Sequence, residues 1–296
     1  ARLTPSELIV PEGDESELID IVSDTGVSIT PLGRSAFDSA GGNDRLCRLF
    51  GVETLVAFGH FGRAELAAMG AVVEYLEITQ KGKLPLLRAP VREAQARVMQ
   101  IDAATRRNLE LTHALSGGRN GSLLAAIDRT VTAGGARLLE RRISAPSRVI
   151  DVVQSRLAGV RFAVEQTRFC EDLRAALRHV PDLERALSRL GLDRGGPRDL
   201  AAIRNALIQA NALAERVTRE DLPELLGDAA ATLQGHDALL DQLDAALVAE
   251  PPLLVRDGGF IAEGFDGELD EVRRLRDEGR GVIAGMQAEF VELTGI

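Results

Sequence analysis

Residues 99–118 read MQIDAATRRNLELTHALSGG, and this stretch carries signals for both ends of a helix. Asp102 lies just before Ala103, where an aspartate carboxylate accepts hydrogen bonds from backbone N–H groups two and three residues on. Ser116–Gly118 predicts the end, because glycine adopts the left-handed C-terminal conformation without a Cβ clash. Apolar or small residues at three-residue spacing predict one buried stripe. The predicted stripe consists of Leu109, Thr112 and Leu115.

Helical periodicity continues through almost all of the sequence after this stretch. A turn at Arg194–Pro197 separates two predicted helices, and Pro197 suits the first turn of the second. The longest signal is Gly267–Thr294, whose apolar residues recur about every 3.5 residues, as in a coiled-coil seam that needs a partner. The other predicted helices are Ser122–Asp128, Gly135–Ile143, Ile150–Glu165, Phe169–Val180, Leu183–Leu190, Leu200–Val217 and Leu222–Val248.

Residues 1–80 combine strand and helix patterns. Short β-branched runs bounded by proline and glycine predict strands. So few strands leave an open sheet edge, which compact domains avoid, and we therefore expect an α/β domain whose beginning is missing. The predicted strands are Glu7–Pro11, Val27–Pro31 and, as a strand or its remnant, Leu55–Phe58; the predicted helices are Gly42–Phe50 and Arg63–Gln80.

Residues 81–97 separate these two patterns. They include two prolines and have no helical period, which predicts an extended linker. The predicted fold class is mainly α. It comprises a partial small α/β domain over residues 1–80 and a multi-helix domain over residues 98–296 that ends in a long coiled-coil-like helix.

The composition limits the class of protein. The 296 residues carry 45 acidic and 35 basic side chains, a net charge of −10. This balance argues against a module that wraps DNA by itself, because phosphate neutralisation needs clustered Lys and Arg. No apolar run approaches the roughly 18 residues that cross a bilayer, and no signal peptide is visible. Two distant cysteines favour a reduced cytoplasmic protein over a disulfide scaffold.

Four segments, in order along nearly the whole chain, resemble the MutS family of DNA mismatch-repair proteins. Ala133–Gly135 departs from the Pro-Met-Gly of many relatives, which loosens a helix start without affecting chemistry. The resemblance implies a partial connector domain over residues 1–80, a linker over 81–97, and a helical core or lever domain over 98–296, cut before the clamp. The segments are LVAFG (Leu55–Gly59) with MGAVVEYLEITQKGKLP (Met69–Pro85), IDAATRRNLELT (Ile101–Thr112) with LLAAIDRTVTAGGARLLERRI (Leu123–Ile143), VPDLERALSRLGLDRGGPRDLAAIRNAL (Val180–Leu207) and PPLLVRDGGFIAEGFDGELDEVRRLRDEGR (Pro251–Arg280).

The resemblance also implies a function for the complete protein. Such a protein recognises mismatched duplex DNA and uses ATP and Mg²⁺, in an ATPase domain outside this chain, to become a sliding clamp. It recruits a MutL-type partner and works as a cytoplasmic, nucleoid-associated homodimer. This chain would then be the structural and allosteric core. The residues expected in structural or interdomain roles are Asp102, Arg106, Arg107, Asn108, Asp182, Glu184, Arg185, Pro197, Arg198 and Asp199; a possible MutL-docking helix presents Asn43, Asp44, Arg45 and Arg48.

Motifs for nucleotide hydrolysis are missing from the sequence. A P-loop requires GxxxxGK[ST], so that backbone N–H groups and a lysine hold the phosphates. At the sole Gly-Lys pair, Gly82-Lys83, Glu77 replaces the first glycine and Leu84 replaces the Ser or Thr. Leu275–Gly281 superficially resembles an acidic Walker B segment, but no buried apolar strand precedes its acids. We therefore expect no ATPase activity from this chain alone.

Other site chemistry has equally little support. Phe290–Glu292 has the spelling of the family's Phe-x-Glu mismatch-reading motif, but it lies at the end of a long helix, and we expect Phe290 to pack between helices. The four histidines lack metal-ligand spacing. Cys47 lies beside arginines that could lower its pKa, but nothing else resembles a thiol active site. We predict no catalytic, cofactor-binding or metal-binding residue.

Two alternatives stay open. A free-standing helical adaptor that binds proteins and not DNA would also suit the acidic charge and the lack of catalytic motifs. Such an adaptor should cover both its sheet edge and its last helix within these 296 residues. A metal-free enzyme is the third possibility, and no constellation of residues supports it.

Overall fold

The mainly α fold predicted from the sequence is confirmed, with a small α/β portion at the N-terminus. The computed structural model describes residues 5–14, 27–82, 84–92, 95–217 and 221–295. Lys83 and residues 93–94 of the predicted linker lie outside the described residues. None of the helices in the described part of the chain combines the length and the apolar composition that a bilayer crossing requires.

The N-terminal portion contains a parallel pair of strands and two packed helices. Glu7 lies opposite Ser28 in the strand pair, and the Tyr75 hydroxyl donates a hydrogen bond of 2.7 Å to the Glu7 carboxylate, which ties the second helix to the first strand. The first helix begins three residues earlier than predicted, because the Asp38 carboxylate accepts the Gly41 N–H at 2.6 Å. The elements are β1 (Glu7–Pro11), β2 (Ser28–Leu32), α1 (Ser39–Phe50) and α2 (Arg63–Thr79).

The strand predicted at Leu55–Phe58 is wrong: this segment is a 3₁₀ helix. Leu55 is buried against Leu46 and Val73, and that contact satisfies its apolar side chain without sheet pairing. Gly59, with φ 128°, turns the backbone immediately afterwards. The segment therefore contributes Leu55 to the core between α1 and α2 and is not part of the sheet.

The helical portion is arranged around one long, buried helix, α9 (Pro197–Val217). Ile203 and Leu207 of this helix form a core with Ala186, and Leu240 and Leu243 pack against that core. The remaining helices are α3 (Ala103–Asn108), α4 (Leu123–Ile127), α5 (Ala133–Ser144), α6 (Ile150–Glu165), α7 (Thr167–Leu177), α8 (Leu183–Gly191), α10 (Glu224–Ala231), α11 (Asp237–Ala246), α12 (Gly267–Asp277) and α13 (Gly279–Thr294).

The helix predicted across residues 103–115 is much shorter, and its buried stripe is wrong. The predicted cap is correct, because the Asp102 carboxylate accepts the Thr105 N–H at 2.9 Å. The helix ends at Asn108 because the next residues pair elsewhere: Glu110 and Leu111 accept backbone hydrogen bonds of 2.9 and 3.0 Å from the chain at 123–124. Two predicted stripe residues are consequently exposed, Leu109 and Leu115, whereas Leu111 is buried.

Two other predicted helices are each broken in two. The segment predicted at 222–248 divides into α10 and α11 around Gly235, whose φ is 87°. The predicted final helix divides into α12 and α13 at Glu278, next to Gly279, a residue of low helix propensity. Phe290 is 61% exposed, so no helix of the described structure encloses it, and its expected packing between helices stays a prediction. The apolar side chains Val272, Met286 and Leu293 of this segment are exposed as well.

Candidate interdomain junction

Asp182 and Glu184 form a charged cluster with Arg137 at the start of α8. The guanidinium group of Arg137 donates to both Asp182 oxygens, at 2.8 and 3.0 Å, and to Glu184 Oε2 at 2.8 and 3.1 Å. Asp182 also caps α8, since its carboxylate accepts the Arg185 N–H at 3.4 Å. A planar guanidinium group fixes two carboxylates in a defined geometry. The cluster therefore holds α5 against the first turn of α8.

The linker joins this cluster through Arg88. Arg88 forms an ion pair with Glu184, so Glu184 is held by one arginine from the linker and one from α5. Nearby, the backbone of Leu86 lies against α8: a Cβ added to Gly191 would be 3.1 Å from the Leu86 nitrogen. Leu84 and Leu87, in contrast, pack against the core of the N-terminal portion. The linker is therefore packed on both sides of the junction.

A second link runs from α9 to the end of α2. Asp199 accepts from Arg189 Nε at 3.1 Å and from the Gly196 N–H at 2.8 Å, so it pins α8 to the start of α9. Arg189 also donates to the Arg194 carbonyl oxygen at 2.9 Å. Arg194 in turn donates to the Gln80 side-chain oxygen at 3.3 Å. This chain of hydrogen bonds connects the turn before α9 with the N-terminal portion.

Arg204 is a buried residue that no sequence pattern predicted. It is 6% exposed, and its guanidinium group donates to the carbonyl oxygens of Leu247, Val248 and Ala249 at 3.3, 3.2 and 2.9 Å. These carbonyls follow the end of α11, where helix termini leave acceptors without intrahelical partners. Arg204 therefore fastens the end of α11 to the middle of α9.

The structure brings together some of the predicted interdomain residues and leaves others apart. Asp182, Glu184 and Asp199 lie in the two links above, and Pro197 is buried. Arg198 Nε donates to the Pro251 carbonyl oxygen at 3.4 Å. Three predicted residues have exposed side chains, namely Arg107, Asn108 and Arg185, whereas Arg106 is half-buried. Asp102 acts within its own helix.

The predicted docking helix is α1, and its four candidate residues differ in availability. Arg45 faces inward, where it donates to the Gly70 carbonyl oxygen at 3.1 Å and pairs with Glu74 of α2. Asn43 is half-buried, and Asp44 and Arg48 are exposed. Arg45 thus contributes to helix packing, and the exposed surface of this segment is formed mainly by the other residues.

The arginines that complete the links were not predicted. Arg88, Arg137 and Arg189 belong to a set of 35 basic residues interleaved with acids, and no spacing distinguishes them from solvated arginines. Their partners lie many positions away, as the 45-residue separation of Arg137 and Asp182 illustrates. Among the described residues, no group of histidine, cysteine, aspartate and glutamate side chains is arranged to hold a metal ion.

The charged cluster predicts acid sensitivity. Hydrogen bonding from Arg137 lowers the pKa of Asp182 below its ordinary value of 3.8, and the Arg185 N–H acts in the same direction. A carboxyl group whose pKa is lowered by folding stabilises the folded state at pH values above the ordinary pKa of that group. This contribution is lost as the pH falls through the lowered pKa of the folded state. Asp182→Asn retains a capping side chain but removes the charge.

We therefore expect the wild-type chain to be more stable than Asp182→Asn at about pH 7, with the difference shrinking as the pH falls from about 4 towards 2. Urea midpoints at a series of pH values provide the measurement. Asp172→Asn, at an exposed residue of α7, is the control and should follow the wild type throughout. A difference between wild type and Asp182→Asn that is the same at both ends of the pH range would contradict the assignment.

Two family models match the chain on either side of this junction. The model described as MutS domain II matches residues 1–88, and the model described as MutS domain III matches residues 104–293. The chain belongs to the MutS family. The MutS domain II match thus includes Arg88, and the MutS domain III match includes Glu184, so their ion pair joins the two family domains.

Bacterial relatives are similar over the whole chain. It is 63% identical over 296 residues to the DNA mismatch repair protein MutS of Cereibacter sphaeroides, and 62% identical over 296 residues to that of Roseobacter denitrificans. The protein of the same name from Paracoccus denitrificans is also 62% identical over 296 residues. The chain spans 33% to 34% of the length of these MutS relatives.

Proposed function

We propose that this chain is the structural and allosteric core of a DNA mismatch-recognition protein. In this proposal, the complete protein binds mismatched duplex DNA and uses ATP and Mg²⁺ in another domain to switch into a sliding clamp. The chain itself performs no hydrolysis and couples the two ends mechanically. The relatives named above are DNA mismatch repair proteins, which supports the assignment.

The Arg137 cluster is the observation that carries the mechanical role. Its four hydrogen bonds and the Arg88–Glu184 ion pair join α5, α8 and the linker at one point. Coupling requires an element with discrete arrangements that both ends bias. Displacement of α8 relative to α5 would break several charge-assisted hydrogen bonds together, so this point favours two discrete arrangements over continuous bending.

Helix α9 connects the junction at α8 with the distant helix α11. It has 21 residues, and a helix of that length extends about 31 Å. Asp199 attaches its first turn to α8, and Arg204 attaches its middle to the end of α11. A rotation at the α8 junction would therefore be delivered to α11 as a rigid-body displacement.

The remaining predicted residues have supporting roles in this proposal. Asp102 sets the direction in which α3 leaves the linker, and the exposed side chains of Arg107 and Asn108 are available to neighbouring domains. Arg106 and Arg198 position the segments around them. We also propose that the surface of α1 with Asn43, Asp44 and Arg48 docks a MutL-type partner, and that the complete protein is a nucleoid-associated homodimer in the cytoplasm.

Family membership favours this function over a free-standing adaptor. An adaptor should cover its own apolar faces, yet within the described residues the apolar side chains of α12 and α13 remain exposed, among them Val272, Met286 and Leu293.

The test uses a complete mismatch-repair protein that carries this chain with Arg137→Met. We expect basal ATP hydrolysis and mismatch affinity to stay within about twofold of wild type, while the ATP-triggered switch to a sliding clamp slows about tenfold. Arg137→Lys retains the charge but not the planar fork, and it should fall in between. The switch is measured by the release of the protein from end-blocked mismatched DNA after the ends are opened.

Arg276→Met is the matched control, because Arg276 pairs only with its neighbour Asp277 among the described residues and joins no two elements. It should switch at the wild-type rate. A wild-type switching rate in Arg137→Met, or an equal loss of basal hydrolysis and of switching, would refute the coupling role.

A further inference from the structure

Helix α6 turns its larger apolar face away from the protein. Its exposed apolar residues recur at alternating spacings of three and four, which is the heptad pattern of a helix–helix seam. The stripe extends about 21 Å over four turns. Its exposed fractions are 70% for Ile150, 37% for Val153, 58% for Leu157, 60% for Val160 and 71% for Val164.

The inward face of the same helix is the weaker one. It contacts α10, where Leu226 lies 3.8 Å from the position of a Gly159 Cβ, and it contacts α7 through an edge-on pair of Phe162 and Phe169 with ring centroids 5.5 Å apart. No residue of α6 is fully buried. An amphipathic helix places its apolar stripe against a partner, so the described part of the chain does not account for the outward stripe.

Basic side chains flank this stripe. With Ile150, Leu157 and Val164 at seam positions, Arg156 and Arg161 occupy the flanking positions on its two sides. Burial lowers the pKa of Arg142 of α5, and the positive charges of Arg156 and Arg141 lower it further. None of Arg142, Arg156 and Arg161 forms an ion pair with a described residue, and the buried Arg142 Nε has no hydrogen-bond partner there.

We propose that the outward face of α6 is the docking site of one amphipathic helix whose apolar stripe is flanked by acidic residues. The apolar stripe would supply the binding area. Arg156 and Arg161 would pair with acids on either side. Charge complementarity selects the occupant, because a basic helix would place further cations beside Arg156 and Arg161, which form no ion pair with a described residue.

The probe is a synthetic peptide of three heptads with leucine at the seam positions and glutamate at both flanking positions. Repulsion between the glutamates of two copies keeps the peptide from pairing with itself at neutral pH. We expect the 296-residue chain to bind this peptide by fluorescence anisotropy. A peptide with lysine in place of glutamate should bind at least about tenfold more weakly. Raising the salt concentration should reduce the difference in affinity between the two peptides, because salt screens the charges.

Two kinds of variant locate the site. Leu157→Gln should weaken binding about tenfold through lost apolar contact, and Arg156→Gln should weaken binding of the acidic peptide while reducing its salt dependence. Val72→Gln, at an exposed valine of α2, is the matched control and should bind as the wild type does. Because all three side chains lie at least partly at the surface, circular dichroism should show the same helix content.

Three outcomes would overturn the proposal. The first is absence of binding by the acidic peptide, and the second is equal affinity for the acidic and lysine peptides. The third is a chain that sediments as a dimer and becomes monomeric on Leu157→Gln, because the occupant would then be a second copy of the chain.

Discussion

Gly70→Ala is expected to lower the free energy of unfolding by about 2–3 kcal/mol. An added Cβ at Gly70 would lie 2.4 Å from the Cα of Gly42, and one at Gly42 would lie 2.5 Å from the Leu66 carbonyl oxygen. Helices α1 and α2 therefore touch backbone to backbone at this crossing. Alanine normally favours a helix by about 1 kcal/mol over glycine, so a loss of stability here isolates the cost of forcing the two helices apart.

The chain contains its own probe for this effect. Its one tyrosine, Tyr75, lies on α2 and there is no tryptophan, so intrinsic fluorescence reports the N-terminal portion. Urea unfolding followed by this fluorescence should show a lower midpoint for Gly70→Ala. Gly227→Ala in α10 is the control, since its Cβ would meet nothing within 4 Å, and it should be neutral or slightly stabilising. An unchanged midpoint for Gly70→Ala would mean that the crossing can open at no cost.

Arg204→Met is expected to cost about 3 kcal/mol. Methionine replaces much of the volume of arginine but leaves the carbonyl oxygens of residues 247–249 without their donor. The ion pair of Arg204 with Asp244 adds little, because its atoms are 3.8 Å apart and the Asp244 side chain is 70% exposed. Arg204→Lys should recover only part of the loss, since a single ammonium group cannot reach the same set of carbonyls.

Hydrogen exchange identifies where this stability is lost. Arg204 holds the segment in which the Val248 N–H donates to Phe260 O at 3.0 Å and the Ala262 N–H donates to Ala246 O at 2.8 Å. Both amides should exchange faster in Arg204→Met, beyond the change expected from global stability. Arg216→Met, at an exposed residue in the last turn of the same helix, should leave both protection and midpoint unchanged. Equal behaviour of the two variants would show that the buried hydrogen bonds make no net contribution.

Local signals in the sequence located some of the helix starts. Asp102 and Asp182 both cap the helices that follow them, because a cap is a contact between residues only three positions apart. The family resemblance rested on long segments in a constant order, and the domain II and domain III matches support it over most of the chain. The mainly α class followed from periodicity that extends over many turns.

Helix ends and long-range pairs could not be predicted in the same way. The helix after Asp102 stops at Asn108 because residues 110–111 pair with the backbone at 123–124, a contact that competes with helix propagation and has no local signature. Arg137 and Arg204 are distinguished from the other arginines only by what folding places beside them. The proposed junction therefore depends on acidic residues that were predicted from the sequence and on arginines that were not.

The amino-acid order alone established the helical class, the cap at Asp102 and the family, since each depends on neighbouring residues or on a pattern repeated along the chain. Which surfaces are buried and which distant residues pair depended on the tertiary structure. The heptad stripe of α6 is visible in the sequence as Ile150, Val153, Leu157, Val160 and Val164, but a stripe does not reveal which way it faces. That direction depends on which surfaces of α7 and α10 the helix packs against, because burial is a property of the assembled helices and not of one helix.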